Sequence, residues 1–184
     1  MSEVEELIKA YDQYVSLPWK KDLSGAEKVW FLVYDPMNER RIRFRIQDFE
    51  TATKKAGHKW AALDITDDFA YWMANHRYRE SYFESPEDME PALEDFTEIL
   101  IQKILGILQG SEVDDNTVVV VTGLASLFGL TRASAVLEKI TNSIRGRLLV
   151  FFPGSHEGTS YRLLDARIDW NYMAIPIKAQ EGIQ

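Results

Sequence analysis

Short and almost uninterrupted apolar runs constrain the fold of this chain more than any other feature of its sequence. The stretch Thr117–Gly123, TVVVVTG, is β-branched at every position except its last. Such a run, without polar alternation, is typical of a strand that is buried on both faces of a parallel sheet. Lys28–Pro36, KVWFLVYDP, has the same character, and Trp60–Thr66 and Leu148–Phe152 supply two further predicted strands. We predict a connecting loop between Phe152 and Tyr161, with Gly154 and Gly158 at its turns.

Segments with helical periodicity separate these strands. Glu3–Val15 places apolar residues on one face, and Ser2 with Glu5 predicts a capping box at its start. The stretch from Asp48 predicts a helix that ends at Gly57. The residues just before it alternate in a pattern that is also compatible with a strand, and we favour a helix there. Further helices are predicted over Asp67–Arg77, Pro91–Gln109 (with Ile99 on its core face) and Ser134–Ser143, and a loop over Tyr78–Asp88.

Alternating strands and helices imply βαβ crossovers, which produce a parallel sheet covered on both faces. We therefore predict a single α/β domain over residues 1–184, with a mostly parallel sheet and helices on both of its faces. Two further strands, near Ser160–Leu164 and Trp170–Ile177, predict an antiparallel pair at the C-terminal end.

Charge and composition exclude several classes of function. The chain of 184 residues has a net charge of −8, which disfavours nucleic acid or an anionic membrane as a direct partner unless basic residues cluster. It contains no cysteine, which excludes disulfides and thiolate-ligated zinc or iron–sulfur sites. No signal peptide core or bilayer-length apolar run is present in the sequence, so we expect a cytoplasmic protein.

Polar residues follow the predicted strand ends, where open α/β sheets bind ligands. They are Asp35, Asp64 with Thr66, Thr122 with Gly123, and Gly154–Glu157 with its His156. A catalytic pocket or nucleotide site would need them to converge. Ordinary turn and helix-cap chemistry accounts for the same residues, and it is the interpretation that we favour.

Sequence motifs add no support for an enzyme. The stretch Gly123–Arg132, GLASLFGLTR, has five residues between its glycines and Leu130 at the position of the P-loop lysine. G-x-G-x-x-G and G-x-S-x-G are absent, and His58, His76 and His156 lack the spacing of metal ligands. We predict no catalytic residue, no metal ligand and no cofactor.

One basic cluster stands out in the sequence, NERRIRFR, with Arg40, Arg41, Arg43 and Arg45 around Phe44. Acidic neighbours dilute its charge. A solvated helix face is the first interpretation, docking against an acidic partner the second, and nucleic-acid binding the third.

An aromatic run over Phe69–Asp88 contains more rings than one short helix can bury. Tyrosine, tryptophan and arginine are the residue types that dominate protein interfaces. We therefore predict Tyr78, Tyr82 and Phe83 as partner contacts, with His156 and Trp170 as further contacts near the C-terminal strands.

Five stretches together resemble the BrxB family, a core component of BREX bacteriophage-resistance systems: VWFLVYDP, TKKAGHKWAALDIT, TVVVVTGLASLFGLTRAS, RGRLLVFFPG and YRLLDARIDWNYMAIPI. The resemblance extends from about Trp30 to Ile177. It implies no catalytic residue, because none is established for the family. It implies a small accessory or assembly subunit that contacts other BREX components, of which the PglZ-type protein is the favoured partner, and that reaches DNA only indirectly. The alternative is a nucleotide- or nucleic-acid-binding subunit of the same system, using the strand-end residues or the Arg40–Arg45 cluster.

Overall fold

The computed structural model describes residues 1–166 and 170–179 and contains one mostly parallel sheet, as predicted. The strands are β1 (Val29–Tyr34), β2 (Lys59–Asp64), β3 (Thr117–Thr122), β4 (Arg147–Glu157), β5 (Ser160–Leu163), β6 (Trp170–Asn171) and β7 (Ile175–Ile177). Five of them are mutually parallel in the order β2-β3-β4-β1-β7, and β5 and β6 extend the last part of β4 by antiparallel pairing.

Seven α-helices connect or flank the strands within the described residues. They are α1 (Glu3–Val15), α2 (Glu39–Phe44), α3 (Ile46–Lys55), α4 (Asp68–Asn75), α5 (Arg79–Glu84), α6 (Leu93–Leu108) and α7 (Ala133–Ile140). Short 3-10 helices cover Ala26–Lys28, Pro36–Asn38, Pro86–Ala92, Leu124–Leu127 and Thr141–Ser143. The predicted capping box opens α1: the Glu5 amide donates to Ser2 Oγ and the Ser2 amide donates to Glu5 Oε2.

The sheet separates two apolar cores, which explains why its central strands are apolar without alternation. On one face Trp30, Leu32 and Phe151 pack against α1 and α3. On the opposite face Phe31 and Phe152 join a core to which α6 and α7 contribute. All residues of β1 and β3 are buried, whereas β2 lies at the border of the sheet and is partly exposed.

The structure corrects the prediction for residues 78–88 and 153–160. Most of the first segment forms α5 and the start of a 3-10 helix instead of a loop. In the second, β4 continues to Glu157, turns at Gly158 and returns as β5, with Gly154 opposite Leu163. A Cβ at Gly154 would lie 2.0 Å from the Arg162 carbonyl oxygen, so this glycine permits a close strand approach where the sequence indicated a turn.

The predicted C-terminal antiparallel pair is confirmed for β5 and β6, in which Tyr161 lies opposite Trp170. Ile175–Ile177, which the sequence assigned to the same strand as Trp170, instead pairs in parallel with β1. Part of the DARIDW connection, residues 167–169, lies outside the described residues.

None of the described helices is both long enough and apolar enough to cross a membrane.

Candidate docking surface

The carboxyl end of the sheet, where the parallel strands finish, is tightly packed beside β2 and β3. The Thr66 amide donates to Asp64 Oδ1 at 2.9 Å, so the Asp64 side chain stabilises its own turn. Gly123 follows β3 with φ +90°, and a Cβ there would lie 2.7 Å from the Thr66 backbone nitrogen. The two turns therefore lie in direct contact at Gly123, where even an added methyl group would not fit.

Arg43 of α2 closes this end of the sheet with three side-chain contacts. Its Nη2 donates to Thr66 Oγ1 at 2.6 Å, its Nη1 lies 3.5 Å from Asp64 Oδ2, and its Nε donates to Glu39 Oε1 at 2.8 Å. The Tyr34 hydroxyl donates to the second Glu39 oxygen at 2.6 Å. One arginine of the predicted cluster, Arg43, thus pairs with one of the predicted strand-end acids, Asp64.

The ionisation of Asp64 follows from this arrangement. Partial burial disfavours its charged form, but the hydrogen bonds from Thr66 and the charge of Arg43 outweigh burial and hold the pKa of Asp64 below its usual value. A depressed pKa keeps the group ionised near pH 7, which suits an ion pair and does not suit a general acid.

Asp35 and His156 do not join Asp64 in one pocket. Asp35 accepts a hydrogen bond from the Met37 amide at 2.9 Å and caps the 3-10 helix that follows β1. Two strands separate β1 from β2 in the sheet, which places their ends roughly 14 Å apart. His156 lies beyond the parallel part of β4, opposite Tyr161. Thr122 is buried opposite Asp64 in the register of β2 and β3.

The other arginines of the cluster are dispersed around α2. Arg45 pairs with Asp48, whereas Arg40 and Arg41 are exposed and have no carboxylate partner among the described residues. Phe44 beside them is 82% exposed. The cluster therefore offers two uncompensated guanidinium groups and one ring, a small patch on an acidic protein.

A continuous ladder of rings extends from the core to the surface at α4 and α5. The buried Phe96 of α6 contacts Trp72 with ring centroids 5.6 Å apart, and Trp72 contacts His76 at 4.9 Å. His76 then contacts Tyr82 at 5.1 Å, and Tyr82 contacts Tyr78 at 6.4 Å. The ladder holds the outer rings in place, so part of the predicted aromatic run is core and part is surface.

Beside the ladder lies a groove of about 590 Å³ between α4 and α6, which we call the aromatic groove. Its side chains include Tyr71, Trp72, His76, Phe96, Ile99 and Leu100. The side chains of Tyr71 and Ile99 are 75% and 55% exposed, and Phe83 on the neighbouring α5 is 67% exposed. Ile99 was expected in the core, but it lies at the border of the core face of α6 and turns outward.

The polar border of the aromatic groove is an ion pair between Lys103 and Asp68, with Nζ and Oδ1 2.6 Å apart. The other oxygen of Asp68 is buried and has no hydrogen-bond partner among the described residues. The groove thus combines an apolar floor, exposed rings and one charged pair at its rim, which is the composition of a protein interface core.

The predicted contacts His156 and Trp170 lie on another surface, around β5 and β6. Trp170 covers Phe31 and Tyr161, with ring centroids 5.7 and 6.1 Å away, and its edge lines a second cavity of about 380 Å³ beside Phe128. His156 lies against Tyr161 at 4.4 Å, and burial, followed by the charge of Lys178, lowers its pKa. Both rings therefore cover the core, and the structure does not bring them together with the aromatic groove.

A comparison with known protein families matches residues 63–177 to the family model described as BREX protein BrxB. Neither the comparison with curated proteins nor that with solved structures gives a match. The matched segment contains the aromatic groove, β3 and β4, and the C-terminal strands, whereas the Arg40–Arg45 cluster lies outside it. Because the match covers more than half of the sequence, the chain belongs to the BrxB family.

Proposed function

We propose that this protein is a non-enzymatic assembly subunit of a BREX complex and that it docks a partner protein in the aromatic groove. Membership of the BrxB family supports a role as a BREX component. The favoured partner is the PglZ-type protein of the same system, which the subunit would meet in the cytoplasm, and DNA is reached only through the assembled complex.

The observation that carries this proposal is the exposure of large apolar side chains around one groove. Tyr71, Phe83 and Ile99 each keep more than half of their surface in water. A partner that covers these side chains removes their apolar surface from water, and this burial stabilises the complex. The ring ladder fixes Trp72 and His76, which line the same groove as Tyr71 and Ile99, so part of the groove wall is ordered before a partner binds.

The strand-end residues support a non-enzymatic role. Asp64, Thr66 and Arg43 use their polar atoms on one another, and Asp35 caps its own turn. A nucleotide site at the strand ends would require Arg43 to leave Glu39 and Asp64. Nucleic-acid binding by the cluster would depend on Arg40 and Arg41 alone, two exposed cations on a protein of net charge −8, which favours the docking proposal over that alternative.

Co-purification with the PglZ-type protein from the same gene cluster tests the proposal. We expect the two purified proteins to elute together in size-exclusion chromatography. The double variant Tyr71→Ala, Phe83→Ala should weaken the complex by at least about 30-fold, because exposed aromatic anchors dominate binding energy. Its fold should persist, since both side chains project mainly into solvent.

The matched control is Phe44→Ala, which removes a ring from the Arg40–Arg45 cluster that is at least as exposed as Tyr71 and Phe83. We expect it to leave the affinity unchanged. Loss of binding in Phe44→Ala alone would move the docking site to that cluster. Separate elution of the wild-type proteins would contradict the PglZ assignment. Salt-sensitive binding of DNA by the isolated protein would favour the nucleic-acid alternative.

A further inference from the structure

A second arginine, Arg147, occupies an unusual position at the amino end of the sheet, where the parallel strands begin. It is the first residue of β4 and only 5% exposed. Its Nη1 donates to the Gly146 carbonyl at 3.0 Å and its Nη2 to the Lys20 carbonyl at 2.9 Å. Its Cζ lies 4.7 Å from the ring centroid of Trp19 and 5.9 Å from that of Trp30.

These contacts leave the charge of Arg147 without a counter-ion in the described part of the chain. None of the described carboxylates lies within ion-pair distance of it. A guanidinium has five N–H donors, and two carbonyl oxygens satisfy only two of them. Burial of a cation without an opposite charge is costly, and buried arginines are usually paired for that reason.

The guanidinium faces a cavity of about 330 Å³ formed by the end of α1, the connector before β1, and the first residues of β1, β4 and β7. Trp19 also lines this cavity, and its indole Nε1 is buried without an acceptor among the described residues. Two further charged side chains, Glu27 and Lys20, line the cavity. Glu27 Oε2 accepts hydrogen bonds from the Ser24 hydroxyl and amide at 2.7 and 2.9 Å, and these bonds, followed by the charge of the exposed Lys20, lower the pKa of Glu27. The cavity therefore presents two kinds of donor and a cation.

Apolar side chains form most of the remaining wall, namely Leu17, Pro18, Leu23, Met173 and Ile175. Leu17 and Met173 are 56% and 69% exposed, which places them at the mouth of the cavity. One buried cation balances one negative charge, and the guanidinium fork matches the geometry of a carboxylate. Lys20, the other cation of the lining, is exposed and acts on Glu27, so the buried part of the cavity carries one positive charge and suits a monoanion better than a phosphate dianion.

We infer that this amino-end cavity binds a carboxylate carried on a small apolar group. The carboxylate pairs with Arg147, the Trp19 indole donates to it or to a neighbouring acceptor, and the apolar group contacts Leu17, Met173 and Ile175. Either a free small carboxylic acid or the C-terminal carboxylate of a peptide carries this chemistry. The site lies away from the aromatic groove and does not depend on the docking proposal.

Isothermal titration calorimetry tests the inference by measuring the affinity of the purified protein for two acids and for their neutral counterparts. The probes are 3-phenylpropionate with its amide, and a short peptide ending in phenylalanine with the same peptide amidated. We expect saturable binding of at least one acid and at least about 10-fold weaker binding of its amide, because a charge-assisted pair is lost. Tighter binding of 3-phenylpropionate would identify a free small acid as the ligand, and tighter binding of the peptide would identify a peptide C-terminus.

Three variants test whether the acid pairs with Arg147 in particular or responds only to the net charge of the protein. Arg147→Met should lower the affinity for the acid by at least about 10-fold. Arg41→Met, which replaces an exposed arginine distant in sequence, should leave the affinity unchanged. Met173→Glu places a negative charge at the exposed mouth and should weaken binding without disturbing the core.

Three results would overturn the inference. The first is equal binding of an acid and its amide by the wild-type protein, which needs no variant. The second is undiminished binding by a folded Arg147→Met protein, and the third is the absence of saturable binding for both acids. The Tyr71→Ala, Phe83→Ala variant should bind the acid with the affinity of the wild-type protein, because its substitutions lie outside the amino-end cavity. Failure of the carboxylate inference can therefore be distinguished from failure of the docking proposal.

Discussion

Arg43 and Arg147 lie at opposite ends of one sheet and have opposite environments. Arg43, with 34% of its side chain exposed, contacts Glu39, Asp64 and Thr66. Arg147 is almost completely buried and contacts two carbonyl oxygens and two tryptophan rings. The accessible arginine is therefore saturated by the protein's own acids, whereas the buried one has no described acid beside it.

The difference shows why the usual location of an α/β ligand site is misleading for this chain. Ligands of open α/β sheets bind at the carboxyl end of the strands. Here that end is closed beside β2 and β3 by the contacts of Arg43 with Asp64 and of Gly123 with Thr66. Donors without a described partner lie at the amino end, and exposed rings lie on α4 and α5. Fold alone does not determine where function resides.

The largest effect that tests this contrast is expected for Gly123→Ala. The residue has φ +90°, and its Cβ would meet the Thr66 backbone nitrogen at 2.7 Å. Left-handed strain and this contact together should reduce the free energy of unfolding by about 3 kcal/mol, measured by urea denaturation.

The matched control for that change is Gly129→Ala, which has φ +76° and nothing within 4 Å of the added Cβ. It should cost about 1 kcal/mol, the strain alone. Equal losses for the two variants would mean that the carboxyl end of the sheet is not tightly closed.

A smaller effect should distinguish the two arginines directly. Arg43→Met leaves Glu39 and Asp64 without their cation and should cost about 1 kcal/mol near pH 7, a value limited by solvent screening of this partly exposed pair. Arg147→Met leaves no described carboxylate behind, and its effect should stay within about 1 kcal/mol in either direction.

The pH dependence of the Arg43 contribution has a definite sign. The folded-state pKa of Asp64 lies below its usual value, which is about 3.9, so the ion pair stabilises the fold above that pH. Its contribution is lost as the pH falls through the folded-state pKa. Urea denaturation at several pH values should therefore show wild type and Arg43→Met converging in acid; a constant difference would contradict the ion-pair explanation.

Much of the fold followed from the sequence because its strands are buried on both faces. Apolar runs without alternation located β1, β3 and the start of β4, and helical periodicity located α1 and α6. The hairpin between β4 and β5 was missed because Pro153 and Gly154 have the local preferences of a turn. Only the tertiary approach of Arg162 to Gly154 makes a strand there necessary.

The sites were less predictable because they depend on pairs distant in sequence. The aromatic run was visible, but the groove requires Ile99 of α6 beside Tyr71 of α4. Trp19 and Arg147 are far apart in the chain, in a connector and at a strand start that carry no motif. No periodicity links them, so only the folded structure brings the ring over the guanidinium.

The smallest effect concerns an exposed ion pair at the amino end of the sheet, between Lys59 and Asp114. Their Nζ and Oδ2 atoms lie 2.6 Å apart, and the hydrogen bond from Lys59, followed by those from Thr117 and the Asn116 amide, lowers the pKa of Asp114 to about 2. Asp114→Asn keeps an acceptor for Thr117 and Asn116 but removes the charge. We expect a slightly lower urea midpoint near pH 7, with the difference from wild type shrinking below about pH 4 and mostly lost by about pH 2.

Asp115→Asn removes the same formal charge from the neighbouring exposed residue and controls for net charge. If Asp114→Asn lowers the urea midpoint and Asp115→Asn does not, the surface ion pair between Lys59 of β2 and Asp114, just before β3, stabilises the amino end of the sheet. Equal shifts for the two variants, or a difference from wild type that is undiminished near pH 2, would instead attribute the effect to overall charge.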